Sequence, residues 1–308
     1  MSEEYHTPVL LREALRYLIS DVNGVYVDGT LGGGGHAEEI CNQLSIEGRL
    51  VCFDADEDAI RFASERLKKF SNRVTFVHSN FRNLKPELSA LHIASIDGLL
   101  LDLGVSSFQI NEEAKGFSFR GDERIDMRMD RQQTMSGLDV VNTYDDAQLA
   151  NVLWKYGEER NSRRIAKKIV EARPVETTGR LAAIVESAVG KQFLTKTLAR
   201  VFQAIRIEVN DELRSLEQAL ADCLGLLVPG GRMVVISYHS LEDRIVKNFF
   251  KAAALSSIPS GHKYIPDTMV TPKLKILTKS PVLAPEEEVD RNPRSRSAKM
   301  RVAERLAG

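Results

Sequence analysis

Val25-Tyr26-Val27-Asp28-Gly29-Thr30-Leu31-Gly32-Gly33-Gly34-Gly35-His36 is the stretch whose reading decides the fold. The apolar run Gly24 to Val27 predicts a buried strand, with an acid, Asp28, at its end. Four consecutive glycines, Gly32 to Gly35, make a turn, and Ala37 to Leu44 has helical spacing. Strand, glycine-rich turn and helix open a nucleotide-binding α/β unit. Glycine lets the main chain approach a ligand closely, and the helix start leaves N–H groups free to meet it.

The next segments extend the unit. Arg49 to Phe53 is an apolar strand that ends in Asp54-Ala55-Asp56. Asp54 lies about twenty residues after the glycines, where such folds set an acid against a ribose hydroxyl pair. Asp56 reads as the N-cap of a helix from Glu57 to Lys69. Val74 to Val77 is a third strand, followed by His78-Ser79-Asn80-Phe81, and Leu84 to Leu91 is a short helix. Ile96 to Leu103 is a fourth, strongly apolar strand. Strands alternating with helices predict a mostly parallel sheet with helices on both faces. Ligands of such sheets bind beyond the carboxyl ends of the strands, where Asp28, Asp54, Phe81 and Asp102 all fall. The dinucleotide fingerprint has no acid between strand and glycines. Asp28 would repel a pyrophosphate and suits a cationic or amino-bearing ligand. In this the turn resembles motif I of the S-adenosylmethionine-dependent methyltransferases, whose ligand carries an amino acid and a sulfonium but no phosphate.

On either side of this core the pattern changes. His6 to Ile19 carries a proline near its start and continues as a helix, with His6 and Thr7 read either as surface residues that cap it or as residues near the ligand. From about Glu112 to Ile205 the alternation stops and helical patterns follow one another: Asp145 to Tyr156, Ser162 to Ala172, Thr178 to Val189 and Leu198 to Ile207. That block reads as an inserted all-helical domain. The alternation returns with a helix from Asn210 to Leu227, a turn at Pro229-Gly230-Gly231, a strand from Arg232 to Ser237 and a helix from Leu241 to Ala254. Leu274 to Leu277 and Ser297 to Val302 read as final strands. The expected organisation is a core over 1–111 and 208–308, interrupted by the insert over 112–207.

Composition narrows the function classes. Basic and acidic residues number 42 and 43, so whole-chain charge predicts no partner. Charge distribution does. Arg160, Arg163, Arg164, Lys167, Lys168 and Arg173 cluster in the insert, and Arg291, Arg294, Arg296, Lys299, Arg301 and Arg305 in the tail. The stretch from Arg120 to Arg131 mixes arginines and acids with Met127 and Met129. Basic clusters of this kind read as phosphate contacts on a nucleic-acid-binding surface. Three scattered cysteines form neither a zinc motif nor a disulfide framework, so no metal is expected and a reducing, cytoplasmic setting is. No apolar run is long enough for a membrane span, and the N-terminus lacks the pattern of a signal peptide.

Two strand ends carry the candidate chemistry. The first is Asp102-Leu103-Gly104-Val105-Ser106-Ser107-Phe108-Gln109. The exocyclic amine of a base is a poor nucleophile because its lone pair is delocalised into the ring. Acceptors on its two hydrogens draw the nitrogen towards tetrahedral geometry, and a carboxylate such as Asp102 can be one of them. The second is Ser237-Tyr238-His239-Ser240-Leu241-Glu242-Asp243-Arg244, where His239 could contact the base or accept a proton. Ser240 with Asp243 reads as a capping box.

Assembled, these segments resemble the bacterial family that methylates the N4 atom of a cytosine in small-subunit (16S) ribosomal RNA. The resemblance rests on His6-Thr7-Pro8-Val9-Leu10-Leu11, Asp28-Gly29-Thr30 with Gly32 to His36, and Asp102-Leu103-Gly104-Val105-Ser106-Ser107. It continues through Gly116-Phe117-Ser118-Phe119, Asp126-Met127-Arg128-Met129-Asp130 and Tyr156-Gly157-Glu158-Glu159-Arg160. Phe202-Gln203-Ala204-Ile205-Arg206-Ile207 and Ser240-Leu241-Glu242-Asp243-Arg244 complete it. It implies a Rossmann-like class I methyltransferase core that holds S-adenosylmethionine, and a helical insert that helps recognise RNA. It sets the cofactor against Gly34, Gly35, His36, Asp54, Phe81, Asp102 and Gln109, the last by resemblance alone, and makes the substrate a decoding-centre cytosine of the small subunit. Three other readings compete. A DNA amino-methyltransferase would carry an Asn/Asp-Pro-Pro-aromatic string where Leu103-Gly104-Val105 stands. A nucleotide-dependent oxidoreductase would lack Asp28. A non-catalytic ribosome assembly factor would bind cofactor without forming product.

Overall fold

The computed structural model describes residues 8–104, 115–258, 260 and 267–307. The chain divides into two compact units, one of Met1–Gly104 with Leu213–Gly308, the other Val105–Glu212. The first unit begins with α1 (Leu11–Leu18), β1 (Val25–Asp28), α2 (Gly35–Gln43), β2 (Arg49–Asp54), α3 (Glu57–Arg66), β3 (Val74–His78), α4 (Leu84–Ala90) and β4 (Ile96–Asp102). The helical stretch that follows comprises α5 (Gly137–Thr143), α6 (Asp146–Gly157), α7 (Ser162–Glu171), α8 (Thr178–Val189) and α9 (Leu194–Asn210). The chain then runs through α10 (Glu212–Leu226), β5 (Leu227–Ser237), α11 (Ser240–Ala253), the small ribbon β6 (Ser257–Ile258) and β7 (Thr268–Met269), β8 (Leu274–Ile276), β9 (Val282–Leu283), α12 (Glu286–Arg291) and β10 (Lys299–Arg305).

Among the described residues the main sheet has the order β3-β2-β1-β4-β5-β10-β8, with β9 also on β10. The strands β3 through β5 pair in parallel, and β10 runs antiparallel to β5, β8 and β9. Alternation of side chains along each strand builds the two layers. Tyr26, Leu50, Cys52, Leu100, Val234 and Met300 face one core with α1, α2 and α3. Their neighbours Val27, Val51, Phe53, Leu99, Leu101 and Val235 face the other, with α4, α10 and α11. Because both faces are covered, the central strands are apolar throughout rather than alternating.

The helical unit has its own core, built from Val140, Leu149, Leu153, Ile165, Val185, Val201 and Phe202 among others. Its longer helices, α6 to α9, each show an apolar stripe at the expected spacing. The helix α5, absent from the sequence reading, is too short to show a clear period. It is specified instead by a capping box between Ser136 and Asp139.

Three expectations are corrected. Pro229-Gly230-Gly231 does not end an element but lies inside β5, where pairing jumps from Ile96–Leu227 to Gly98–Arg232. The turn-forming residues make a bulge in a continuing strand, with Gly230 at φ 85°. The helix expected from Asn210 to Leu227 starts two residues later, because the preceding helix runs on to Asn210 and Asp211, at φ 49°, separates α9 from α10. Across that break Arg206 grips Glu212 through Nε–Oε1 at 2.7 Å and Nη2–Oε2 at 2.9 Å. The box expected of Ser240 with Asp243 is shifted by one residue. His239 is the N-cap, its Nδ1 accepting from the Glu242 N–H at 3.4 Å, and the Glu242 carboxylate accepts in return from the Tyr238 and His239 N–H groups.

Candidate active site at the strand ends

The glycine turn is shaped by its neighbours. The Leu31 N–H donates to the Phe53 carbonyl at 2.9 Å and the Gly34 N–H to the Leu31 carbonyl at 2.8 Å. Gly34 sits at φ 75°, a left-handed geometry that a side chain would strain, and a Cβ there would stand 3.1 Å from that of Ala63. At Gly29 a Cβ would lie 2.5 Å from Leu101 and 3.3 Å from Phe81, so glycine lets the end of β1 close onto these two side chains. Gly34 begins α2 without any side-chain cap, which leaves the first-turn N–H groups of the helix available to an anion.

Around this turn stand the acids expected from the sequence. Asp28 is 1% exposed. Its Oδ1 accepts from the Thr30 N–H at 3.1 Å, and its Oδ2 is buried with no hydrogen-bond partner. Burial pushes its carboxyl up to about 6. Asp54 ends β2 and accepts from the Gly32 N–H at 2.8 Å and the Asp56 N–H at 2.9 Å, joining the turn to the start of α3. Asp56 is the cap of α3, accepting from Asp58. Phe81 lies half-buried in a short 3-10 turn after β3.

Asp102 ends β4 beside His36 and Tyr238. Its N–H donates to Thr30 Oγ1 at 2.6 Å, and its Oδ1 accepts from the Tyr238 hydroxyl at 2.7 Å. His36 Nδ1 is 3.6 Å from its Oδ2. The other ring nitrogen of His36 faces the Val9 carbonyl at 3.1 Å, an acceptor only, so Nε2 carries the proton. Burial lowers the histidine's pKa, so the ring is neutral and its contact with Asp102 is not an ion pair. Asp102 keeps 23% of its side-chain surface open, and burial pushes its carboxyl up to about 7. The Tyr238 hydrogen bond opposes that rise, and Glu242 and Glu288 add to it.

The site thus brings together Asp28, Gly34, Gly35, His36, Asp54, Phe81 and Asp102. Gln109, His6 and Thr7 lie outside the described residues. His239 serves as the N-cap of α11. Sequence reading passed over three groups. Thr30 and Tyr238 stand just after strands, a position that marks them. Glu288, whose Oε1 accepts from the Leu10 N–H at 2.9 Å, comes from the tail and carries no such mark.

The basic clusters divide. Arg160, Arg163, Arg164, Lys167 and Lys168 are exposed, the last two reaching Glu171 at 4.0 and 3.0 Å. Arg173 is instead structural, its guanidinium donating to the Val141 and Tyr144 carbonyls. In the tail Arg296 is exposed and Arg294 half-buried. Arg301 is buried in a two-pronged ion pair with Asp243, at 2.6 and 3.2 Å, and is withdrawn from any phosphate-binding surface. Arg128 is likewise engaged, with both oxygens of Asp126. The three cysteines are free and buried. Among the described residues no helix is long and apolar enough to cross a membrane.

Comparison with known proteins adds a second line of evidence. Residues 3–306 match the MraW methylase family. A relative from Clostridioides difficile (strain 630), named ribosomal RNA small subunit methyltransferase H, is 46% identical over 310 residues, 99% of this chain and 100% of the relative. One of the same name from Dehalococcoides mccartyi is 48% identical over 309 residues, 99% of this chain and 88% of the relative. A crystal structure described as an rRNA methylase from Streptococcus thermophilus aligns over 96% of this chain and 94% of its own, with 11% identity and a TM-score of 0.43.

Proposed function

The chain belongs to the MraW methylase family, and on that premise we propose that it methylates the exocyclic N4 amine of a cytosine in the decoding centre of small-subunit (16S) ribosomal RNA. It is a methyltransferase, and its methyl donor is S-adenosylmethionine. The observation that carries the reading is the buried Asp28 Oδ2, an acceptor with no partner beside an uncapped helix start. A buried carboxylate oxygen left unpaired is costly, and an ammonium group on a ligand removes that cost.

The remaining residues fit the same ligand. Asp28 holds the amino group of the methionine end, and the first turn of α2 receives its carboxylate. Asp54 takes the ribose hydroxyls, and Phe81 packs against the adenine. S-adenosylmethionine supplies a methyl group on a sulfonium, ready for direct displacement. Asp102 acts on the acceptor side. With Oδ1 held by Tyr238, Oδ2 accepts from the target amine, draws its nitrogen towards tetrahedral geometry and takes up the proton released as the N–C bond forms. A carboxyl near 7 suits both tasks at neutral pH. The target atom is inaccessible in a stacked helix, so the base must be unstacked or flipped. Exposed cations on α7 fit contacts to RNA phosphates.

Radiolabelled S-adenosylmethionine and small subunits from a strain lacking the enzyme test this directly. Digestion of the RNA should yield labelled N4-methylcytidine. Label in another nucleoside would overturn the choice of target atom. Cofactor binding without label would overturn catalysis on this substrate, in favour of another nucleic acid or an assembly role.

A further inference from the structure

We infer that Tyr238 is a positioning residue for methyl transfer, its hydroxyl holding one oxygen of Asp102 so that the other meets the acceptor amine as a carboxylate. The inference deepens the proposed function and rests on its placement of Asp102 at the amine.

Three features make the tyrosine more than a packing residue. It is the first residue after β5, and β5 pairs with β4 so that Asp102 stands opposite Ile236, two residues before Tyr238; the sheet thus sets the tyrosine close to Asp102 and its side chain reaches back to it. The residue is pinned at its backbone, where the Tyr238 N–H donates to Glu242 Oε2 at 2.8 Å. Next to Asp102 the chain turns at Gly104 with φ 99°, where a Cβ would lie 3.4 Å from the Tyr238 ring. A phenol so fixed donates to Asp102 Oδ1 at 2.7 Å. Its own ionisation is pushed far up by burial and by that acid, so it stays a donor at every working pH.

The charges around Asp102 explain why such a donor is needed. From α2 it meets His36, which is neutral; α11 brings Glu242 and α12 brings Glu288. Asp28 at the end of β1 is a further acid nearby, its own carboxyl raised in part by Asp102. No cation among these groups favours the ionised form. The Tyr238 hydroxyl is what opposes the rise of the Asp102 carboxyl, and hydrogen bonds to ionised groups are the strong ones.

The test is the pH–rate profile of Tyr238→Phe under saturating cofactor, with a thermal melt to establish folding and a titration of S-adenosylmethionine binding. The limb that reports ionisation of Asp102 should move to higher pH by about one to two units, with the lost rate recovered at alkaline pH and cofactor affinity unchanged. A site-specific 3-fluorotyrosine at position 238 keeps the hydroxyl and makes it a stronger donor. It should move the limb the other way, and it serves if the phenylalanine variant does not fold. A uniform loss of rate with the limb in place would make Tyr238 merely structural and overturn the inference, as would an unchanged profile. Asp102→Asn separates the two layers of the argument. If that variant keeps full rate, the placement of Asp102 at the amine fails. If it loses both rate and limb, the tyrosine variants decide the inference alone.

Discussion

Replacing Asp28 with asparagine should stabilise the cofactor-free protein at neutral pH while weakening its hold on cofactor. The folded-state carboxyl is raised from 3.8 to about 6. A raised carboxyl pKa means that Asp28 supports the fold most below its unfolded value, and that this support is lost as pH rises through the folded one. Above about pH 6 the full penalty applies, roughly 3 kcal/mol at 1.36 kcal/mol per unit. Asparagine keeps the acceptor for the Thr30 N–H. It also places an amide N–H where Oδ2 lacks a partner, at a cost of about 1–2 kcal/mol. The net gain is therefore about 1–2 kcal/mol near pH 8 and about zero near pH 4.5, where the wild-type group is largely protonated in the fold. Urea unfolding followed by circular dichroism across this range measures the difference. The single tryptophan, Trp154, belongs to the helical unit and reports on the wrong part of the chain. Hydrogen exchange in β1 supplies a local check. A stability difference flat in pH would refute the reasoning, because it would mean that Asp28 ionises in the fold as freely as in water. Calorimetry on the same variant should show cofactor affinity reduced by about tenfold or more, the scale of a hydrogen bond between charged groups.

Two further outcomes are expected. Asp54→Ala should weaken S-adenosylmethionine binding by about 1–3 kcal/mol in calorimetry, since it removes both a ligand acceptor and the anchor of the Gly32 N–H; unchanged affinity would take Asp54 out of the site. Arg163→Glu combined with Arg164→Glu on the exposed face of α7 should leave cofactor affinity intact and weaken subunit binding, reducing the slope of log affinity against log salt by about 2. An unaltered slope would remove that face from the RNA contact.

How much of the site could be read in advance depended on how local its cause was. Asp28, Asp54 and Asp102 were legible because each ends an apolar strand, and strand ends in a parallel sheet converge on one edge whatever the order of the strands. The glycine run was legible because turns with left-handed residues have few alternatives to glycine. The cap at Asp56 was legible, being a matter of two residues. The box at the start of α11 was misplaced by one residue, because Ser240 and His239 can each cap and packing decides between them.

What the sequence by itself determined was the alternation of strands and helices, the helical block within it and the acids that end the strands. These follow from periodicity and from backbone preferences that act over a few residues. Only the tertiary structure decided the rest. The Pro-Gly-Gly segment continues as a bulged strand because β4 supplies pairing partners on both sides of it. Arg301 is buried because β10 inserts beside β5 and meets Asp243. Asp102 and Tyr238 are 136 residues apart in sequence and share a 2.7 Å hydrogen bond only because β4 and β5 are neighbours in the sheet. Contacts of that range depend on strand order and register, which no local pattern encodes, and the proton chemistry proposed for this site depends on one of them.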